Sequence, residues 1–145
     1  MSEPYPLKAL LLLHDDALDA AKHAHAEALK SLETARLQTR GTQQAFDAHH
    51  LTTRAHATKP TSAAEAQTQS AWQERRREEA ALLLRHLEDA QRTEQARLAE
   101  EAHAHLQLRK ALGETQSTAT HQEGWTANAQ QAATTQEEFE TEERR

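Results

Sequence analysis

Ten histidines stand in this chain of 145 residues. Imidazole is the side chain that most often binds zinc, nickel or copper, so metal ligation is the first chemistry to weigh. The spacing opposes it. His23 and His25 are two positions apart, as are His103 and His105, which on a helix sends the members of each pair to different faces. No two histidines stand four apart, and no cysteine or HExxH completes a ligand set. The expectation is that the chain holds no metal and no cofactor; a metal-buffering, histidine-rich protein is the alternative that calorimetry with zinc or nickel would test.

Catalysis finds as little support. A Ser/His/Asp or paired-carboxylate mechanism needs a concave, partly desolvated pocket, and slender helical architecture offers convex surface. The three glycines, Gly41, Gly113 and Gly124, are isolated, so there is no glycine-rich phosphate loop. The expectation is a protein that is not an enzyme. Arg75, Arg76 and Arg77 form the one basic run, but consecutive helical positions diverge and Glu78 and Glu79 follow at once. A solvated face explains that run better than a nucleic-acid site, and the net charge of -6 agrees.

What remains is recognition by helical surfaces, with the aromatics as its anchors. Phe46 and Trp72 are expected to meet near a turn, where they either staple that end together or, with Leu51 nearby, offer an apolar anchor to a partner. Trp125 has no evident partner in the sequence pattern.

The elements that position these residues follow from composition and period. Ala, Glu, Gln, Leu and Arg dominate, aromatics are 3% of the chain, and mean hydropathy is -0.93. That leaves too little apolar surface for a globular core, so a thin seam between two helices is the economical way to bury it, with partial disorder as the competing outcome. Counting sevens from Leu11 gives Leu18, His25, Leu32, Thr39, Phe46 and Thr53, and a companion row reads His14, Ala21, Ala28, Ala35, Thr42 and His49. Gly41 lies inside this first helix and permits a local kink.

A break at Thr58-Lys59-Pro60-Thr61-Ser62 precedes Ser62-Ala63-Ala64-Glu65, a capping-box pattern that should start a second helix. Leucines mirror one another about this break, Leu7 with Leu112, Leu11 with Leu108 and Leu32 with Leu87, which predicts an antiparallel turn between Lys59 and Pro60. The same mirror brings His14 towards His105, where one weak ligand pair or a pH-sensitive contact is conceivable. Leu84, Leu98 and Leu112, at two-heptad intervals, are expected to face the seam, and Glu88 to pair with Arg92.

The predicted fold is therefore all-α: a long two-helix antiparallel coiled-coil hairpin, rod-like and single-domain. Helix 1 is expected over about 6–57, the turn over about 58–62 and helix 2 over about 63–112 or further. Residues 113–145 form an unpaired overhang, helical or frayed. The apolar run from Ala9 to Leu13 is far short of the roughly 20 residues that span a bilayer. With no cysteine, a reducing compartment is permitted, and the expected location is cytoplasmic.

Tyr5-Pro6-Leu7 leading into a leucine-rich first helix, a central break, and a second helix running through Lys110-Ala111-Leu112 to Trp125 and a Glu-rich terminus resemble the YscO/HrpO branch of type III secretion proteins, which are similar to the flagellar export protein FliJ. The resemblance covers essentially the whole chain. It implies a coiled-coil hairpin like the central stalk of rotary ATPases, peripheral to the secretion apparatus and linking the hexameric export ATPase to the cytoplasmic domain of the export gate. Members are also implicated in binding secretion chaperones or the needle-length regulator. By this resemblance Leu7, Leu11, Leu108 and Leu112 would enter the ATPase ring, and Gln43, Phe46, His50 and Trp72 would face the gate. The flagellar relatives use a row of Gln, Leu and Tyr on the first helix; this chain has Gln43 and Phe46 without the tyrosines. A generic coiled-coil adaptor or scaffold is the alternative.

Overall fold

Long helix-favouring stretches with the prolines confined to their flanks fold as the composition dictates. The computed structural model describes residues 4–145, and among these there are two helices and no strand. Helix α1 spans Lys8–Ala55 and α2 spans Ala63–Glu143. Neither Gly41 nor Gly113 nor Gly124 interrupts its helix. At the start of α2 the Ser62 hydroxyl accepts from the Glu65 N–H at 3.2 Å. The Glu65 carboxylate reaches past Ser62 to take the Thr61 N–H at 2.9 Å, so the box closes one residue earlier than the pattern implies.

The described residues divide into two compact units, one joining the chain up to Ala26 with His103–Arg145, the other being Glu27–Ala102. Within each, part of α1 packs antiparallel on part of α2. In the second unit the contacts run Arg36 to Glu94, Thr39 to Ala90, His49 to Glu79 and Thr53 to Arg76. Its buried residues are Leu32, Ala35, Leu87 and Ala90. In the first unit the contacts run Tyr5 to His121, His14 to Thr118 and His25 to His105, with Tyr5, Ala111 and Thr118 buried.

The two heptad rows read along α1 are its inward face: Leu11, His14, Leu18, Ala21 and His25 in one unit, and Leu32, Ala35, Thr39, Phe46, His49 and Thr53 in the other, are half-buried or buried. The expectation for α2 needs correction. Leu84, Leu98 and Leu112 are 42%, 40% and 37% exposed. The inward row holds Leu83, Leu87, Ala90 and Leu108 together with Arg76, Glu94, Arg97 and Thr115. Two-heptad spacing identifies a face without saying which face; the row that includes Leu83, Leu87 and Leu108 is the one turned inward, so Leu84, Leu98 and Leu112 sit on its flank. Arg92, likewise, pairs with Asp89 at 3.7 Å and not with Glu88.

The mirror register is also displaced. His14 bonds Thr118 where the leucine symmetry would put it beside His105, and His105 lies against His25. The offset is about ten positions, close to three turns at about 3.6 residues each. Its cause is the connection. Residues 57–60 are not helical, and in the second unit Thr53 near the end of α1 already meets Arg76, so α2 starts well beyond the end of α1. Its first turns then lie along the connection instead, with the Gln69 amide donating to the Thr58 carbonyl. The expected overhang shrinks accordingly: α2 stays helical to Glu143, and Thr115, Thr118, His121 and Trp125 all contact residues of the α1 end.

Candidate partner-binding site

In the second unit, side chains near the end of α1 bond to α2 and to the backbone of α1 itself, and that network shapes a groove. The Thr53 hydroxyl donates to the His49 carbonyl at 2.9 Å. Arg76 on α2 donates through Nε to the Thr53 hydroxyl at 2.8 Å and through Nη2 to the same His49 carbonyl at 3.0 Å. Its Nη1 reaches Glu79 Oε2 at 3.1 Å, and that carboxylate also takes His49 Nε2 at 3.0 Å. The His49 hydrogen bond, with the Arg76 charge alongside, holds the Glu79 carboxyl below the usual carboxylate range. This bonded set fixes Arg76, whose guanidinium carbon in turn stands 6.0 Å from the centre of the Trp72 ring.

Trp72 is therefore held half-buried between two shallow depressions. One is lined by His56, Thr58, Lys59, Pro60, Gln69 and Arg75 as well as Trp72. The other lies on the opposite flank, where His50, Ala57, Arg76 and Arg77 share Trp72. The surface at the connection is thus concave, unlike the convex surface expected of paired helices, because the non-helical residues 57–60 lie against the first turns of α2 in place of a second helix. Pro60 and the indole supply apolar area; Lys59, Arg75 and Arg77 supply positive charge around it, and Glu65 lines the first depression as well.

Of the four residues assigned to the gate end, His50 and Trp72 share a depression. Phe46 does not meet Trp72; its ring stacks on His50 at 6.1 Å and 22°. The displaced register is the reason, since Arg76 sits at the level of Thr53 and Trp72, one turn earlier on α2, falls at the level of the connection. Gln43 is half-buried and donates to Asp47 on its own helix at 3.0 Å. Arg75–Arg77, expected to be a plain solvated run, includes one residue, Arg76, that anchors the two helices together.

The four leucines assigned to the ATPase end lie in the first unit but not at one level. Leu7 precedes α1, and Leu11 is half-buried near the Tyr5 and His14 contacts. Leu108 and Leu112 fall on α2 between His105 and Thr118, level with the stretch of α1 from His14 to His25. At the start of α1 the apolar surface is instead Leu7, Leu10, Leu12 and Leu13, between 38% and 63% exposed. Sequence reasoning missed the cluster that closes this region. Tyr5 meets Trp125 edge-on at 5.6 Å and its hydroxyl stands 2.7 Å from His121 Nδ1.

No protein-family model, no curated protein and no solved structure matches this chain. No helix among the described residues is long and apolar enough to cross a membrane.

Proposed function

We propose that the chain is a non-enzymatic coupling element of a type III secretion export apparatus, a stalk protein that binds the export ATPase hexamer and the cytoplasmic domain of the export gate. The observation that carries this reading is the antiparallel pairing of two long helices through small side chains. Ala35, Ala90 and Ala111 are buried beside Leu32 and Leu87, and charged residues are spread over the outward faces among exposed leucines. Helices joined through alanines approach closely and stay slim, which suits an element that must move inside a ring. Partner contacts are assigned to the leucines that open α1, which present apolar surface to an ATPase, and to the Trp72 groove, which presents an indole with Lys59, Arg75 and Arg77 about it to an acidic partner segment. Secretion chaperones or the needle-length regulator are further candidates for that groove. The resemblance to YscO/HrpO proteins supports the same assignment.

The test is capture of the cognate export ATPase hexamer by the full chain. Leu12→Glu with Leu13→Glu should abolish capture and leave helicity intact, because both side chains are solvent-facing. Capture that survives both changes, or never occurs with the unaltered chain, overturns the assignment.

A second reading, a cytoplasmic scaffold that self-associates, draws on Leu84 and Leu98, which are exposed on one α2 row two heptads apart. Light scattering decides it: a dimer that dissociates on Leu84→Glu and Leu98→Glu supports the scaffold, and a monomer removes it.

A further inference from the structure

The first unit brings together two histidines that neither helix could pair alone. His25 on α1 and His105 on α2 have ring centroids 5.4 Å apart with the planes inclined at 47°. We propose that His25 and His105 form a binding site for a single divalent transition ion of the zinc, nickel or copper class. This goes beyond the partner-docking reading and does not depend on it.

The argument is geometric first. A zinc-bound imidazole nitrogen lies about 2.0–2.1 Å from the ion, and the ring centre about 1.1 Å further on, so two imidazoles at a tetrahedral angle have centroids about 5 Å apart. The observed separation fits that arrangement with little movement of either helix. Chemistry agrees with geometry. Neutral imidazole is the preferred nitrogen donor for these ions, and a carboxylate oxygen is an accepted third ligand. Glu101 lies one turn before His105 on α2, which puts a carboxylate on the same face of that helix. Water completes the shell.

The surroundings leave room. Ala21 and Ala28 flank His25 one turn away on each side, and Ala104 precedes His105; all three are half-buried alanines with no longer side chain to obstruct an ion. The helical phase that separates His23 from His25, and His103 from His105, is what sends one member of each His-Ala-His pair across to the other helix. Spacing within a helix argues against a site; the pairing of the two helices supplies it.

The experiment is isothermal calorimetry of the full chain with zinc chloride at pH 7.5, repeated with nickel chloride. One saturable site per chain is expected. His25→Ala and His105→Ala should each weaken binding at least tenfold, and Glu101→Gln should weaken it less. His23→Ala with His103→Ala should leave it unchanged, since those rings point elsewhere. Binding should also fall as pH is lowered, because protons compete with the ion for the imidazole nitrogens. Histidine NMR signals should show zinc first perturbing the His25 and His105 rings, and circular dichroism should show the variants as helical as the parent. Absence of saturable binding overturns the proposal. So does undiminished binding by the His25→Ala, His105→Ala double variant, which would place the ion on other histidines.

Discussion

The Tyr5 hydroxyl stands 2.7 Å from Nδ1 of His121, and the same ring meets Trp125 edge-on, so a residue before the first helix is fastened to the far part of the second. Only 8% of Tyr5 is exposed. Tyr5→Phe removes the hydrogen bond alone and should cost about 0.5–1.5 kcal/mol. Tyr5→Ala removes the aromatic contact as well and should cost about 2–4 kcal/mol. In a Trp72→Phe background the emission of Trp125 reads the change directly. A red shift is expected with Tyr5→Ala, and an unshifted spectrum would mean that Tyr5 does not cover the indole in solution.

Leu87 and Leu98 decide which face of α2 is inward. Leu87 is 5% exposed and Leu98 is 40% exposed. Leu87→Ala should therefore destabilise by about 2–3 kcal/mol, whereas Leu98→Ala should stay within about 0.5 kcal/mol. Urea denaturation followed at 222 nm measures both. Equal costs, or the larger cost at Leu98, would restore the face that two-heptad leucine spacing suggests.

The contrast between α1 and α2 shows what the sequence carries. Along α1 the heptad rows from Leu11 to Thr53 are uninterrupted, and their identification with the inward face holds at every position described. On α2 the inward row includes Arg76, Glu94, Arg97 and Thr115, residues that a hydropathy count discards. Three of the four have a reason visible only across the pair: Arg76 meets the His49 carbonyl of α1, Glu94 meets Arg36 at 3.8 Å, and Thr115 approaches the His14 carbonyl, while Arg97 pairs with Glu100 on its own helix. The register was illegible for a related reason, because leucine symmetry assumes a tight turn and the two helices are joined by a longer non-helical connection. The Tyr5–Trp125 contact left one faint signal, the presence of Tyr5 ahead of the first helix and of Trp125 in an otherwise largely polar stretch of the second.

Thr118 offers a test of polar pairing inside the seam. Its hydroxyl donates to the Glu114 carbonyl at 2.9 Å, so its oxygen is left to accept from His14 Nδ1–H at 2.7 Å. Thr118→Val keeps the shape and deletes the acceptor, leaving the His14 donor without this partner. A loss of about 1–2 kcal/mol is expected. Restoration by the His14→Leu, Thr118→Val double variant would locate the cost in the lost hydrogen bond, and a double variant no better than the single one would contradict it.

The Glu79 carboxyl sets an acid-sensitive contact in the second unit. Its pKa is depressed in the folded chain, first by the His49 hydrogen bond and then by the Arg76 charge. A depressed carboxylate stabilises the fold above its unfolded pKa, about 4.3, and that contribution disappears as pH falls through the lower folded value. Glu79→Gln should therefore be less stable than the parent at neutral pH, and the difference should shrink steadily from about pH 5 downwards. Denaturation curves at a series of pH values between 7 and 3 read the trend. A difference that is constant or widens towards acid would show that the carboxylate is not favoured by folding.

Beyond Trp125 the helix continues to Glu143 with every residue exposed, and no α1 residue contacts it among the described interactions. Helices of this length without tertiary packing are marginal in water. Glu137, Glu138, Glu140, Glu142 and Glu143 crowd its last turns, where the negative end of the helix dipole disfavours them, and no basic residue stands in the last turn. Residues 126–143 should therefore exchange their amide hydrogens fast, while 111–125, held by Ala111, Thr118 and the Tyr5 contacts, should be protected. Lysine at Glu138 and Glu142 would ease the clash and should slow exchange there. Uniform protection from 111 to 143 in hydrogen-exchange mass spectrometry would require a partner for the terminal helix, such as a second copy of the chain, and would move the search for an interaction surface to Phe139, which is 64% exposed.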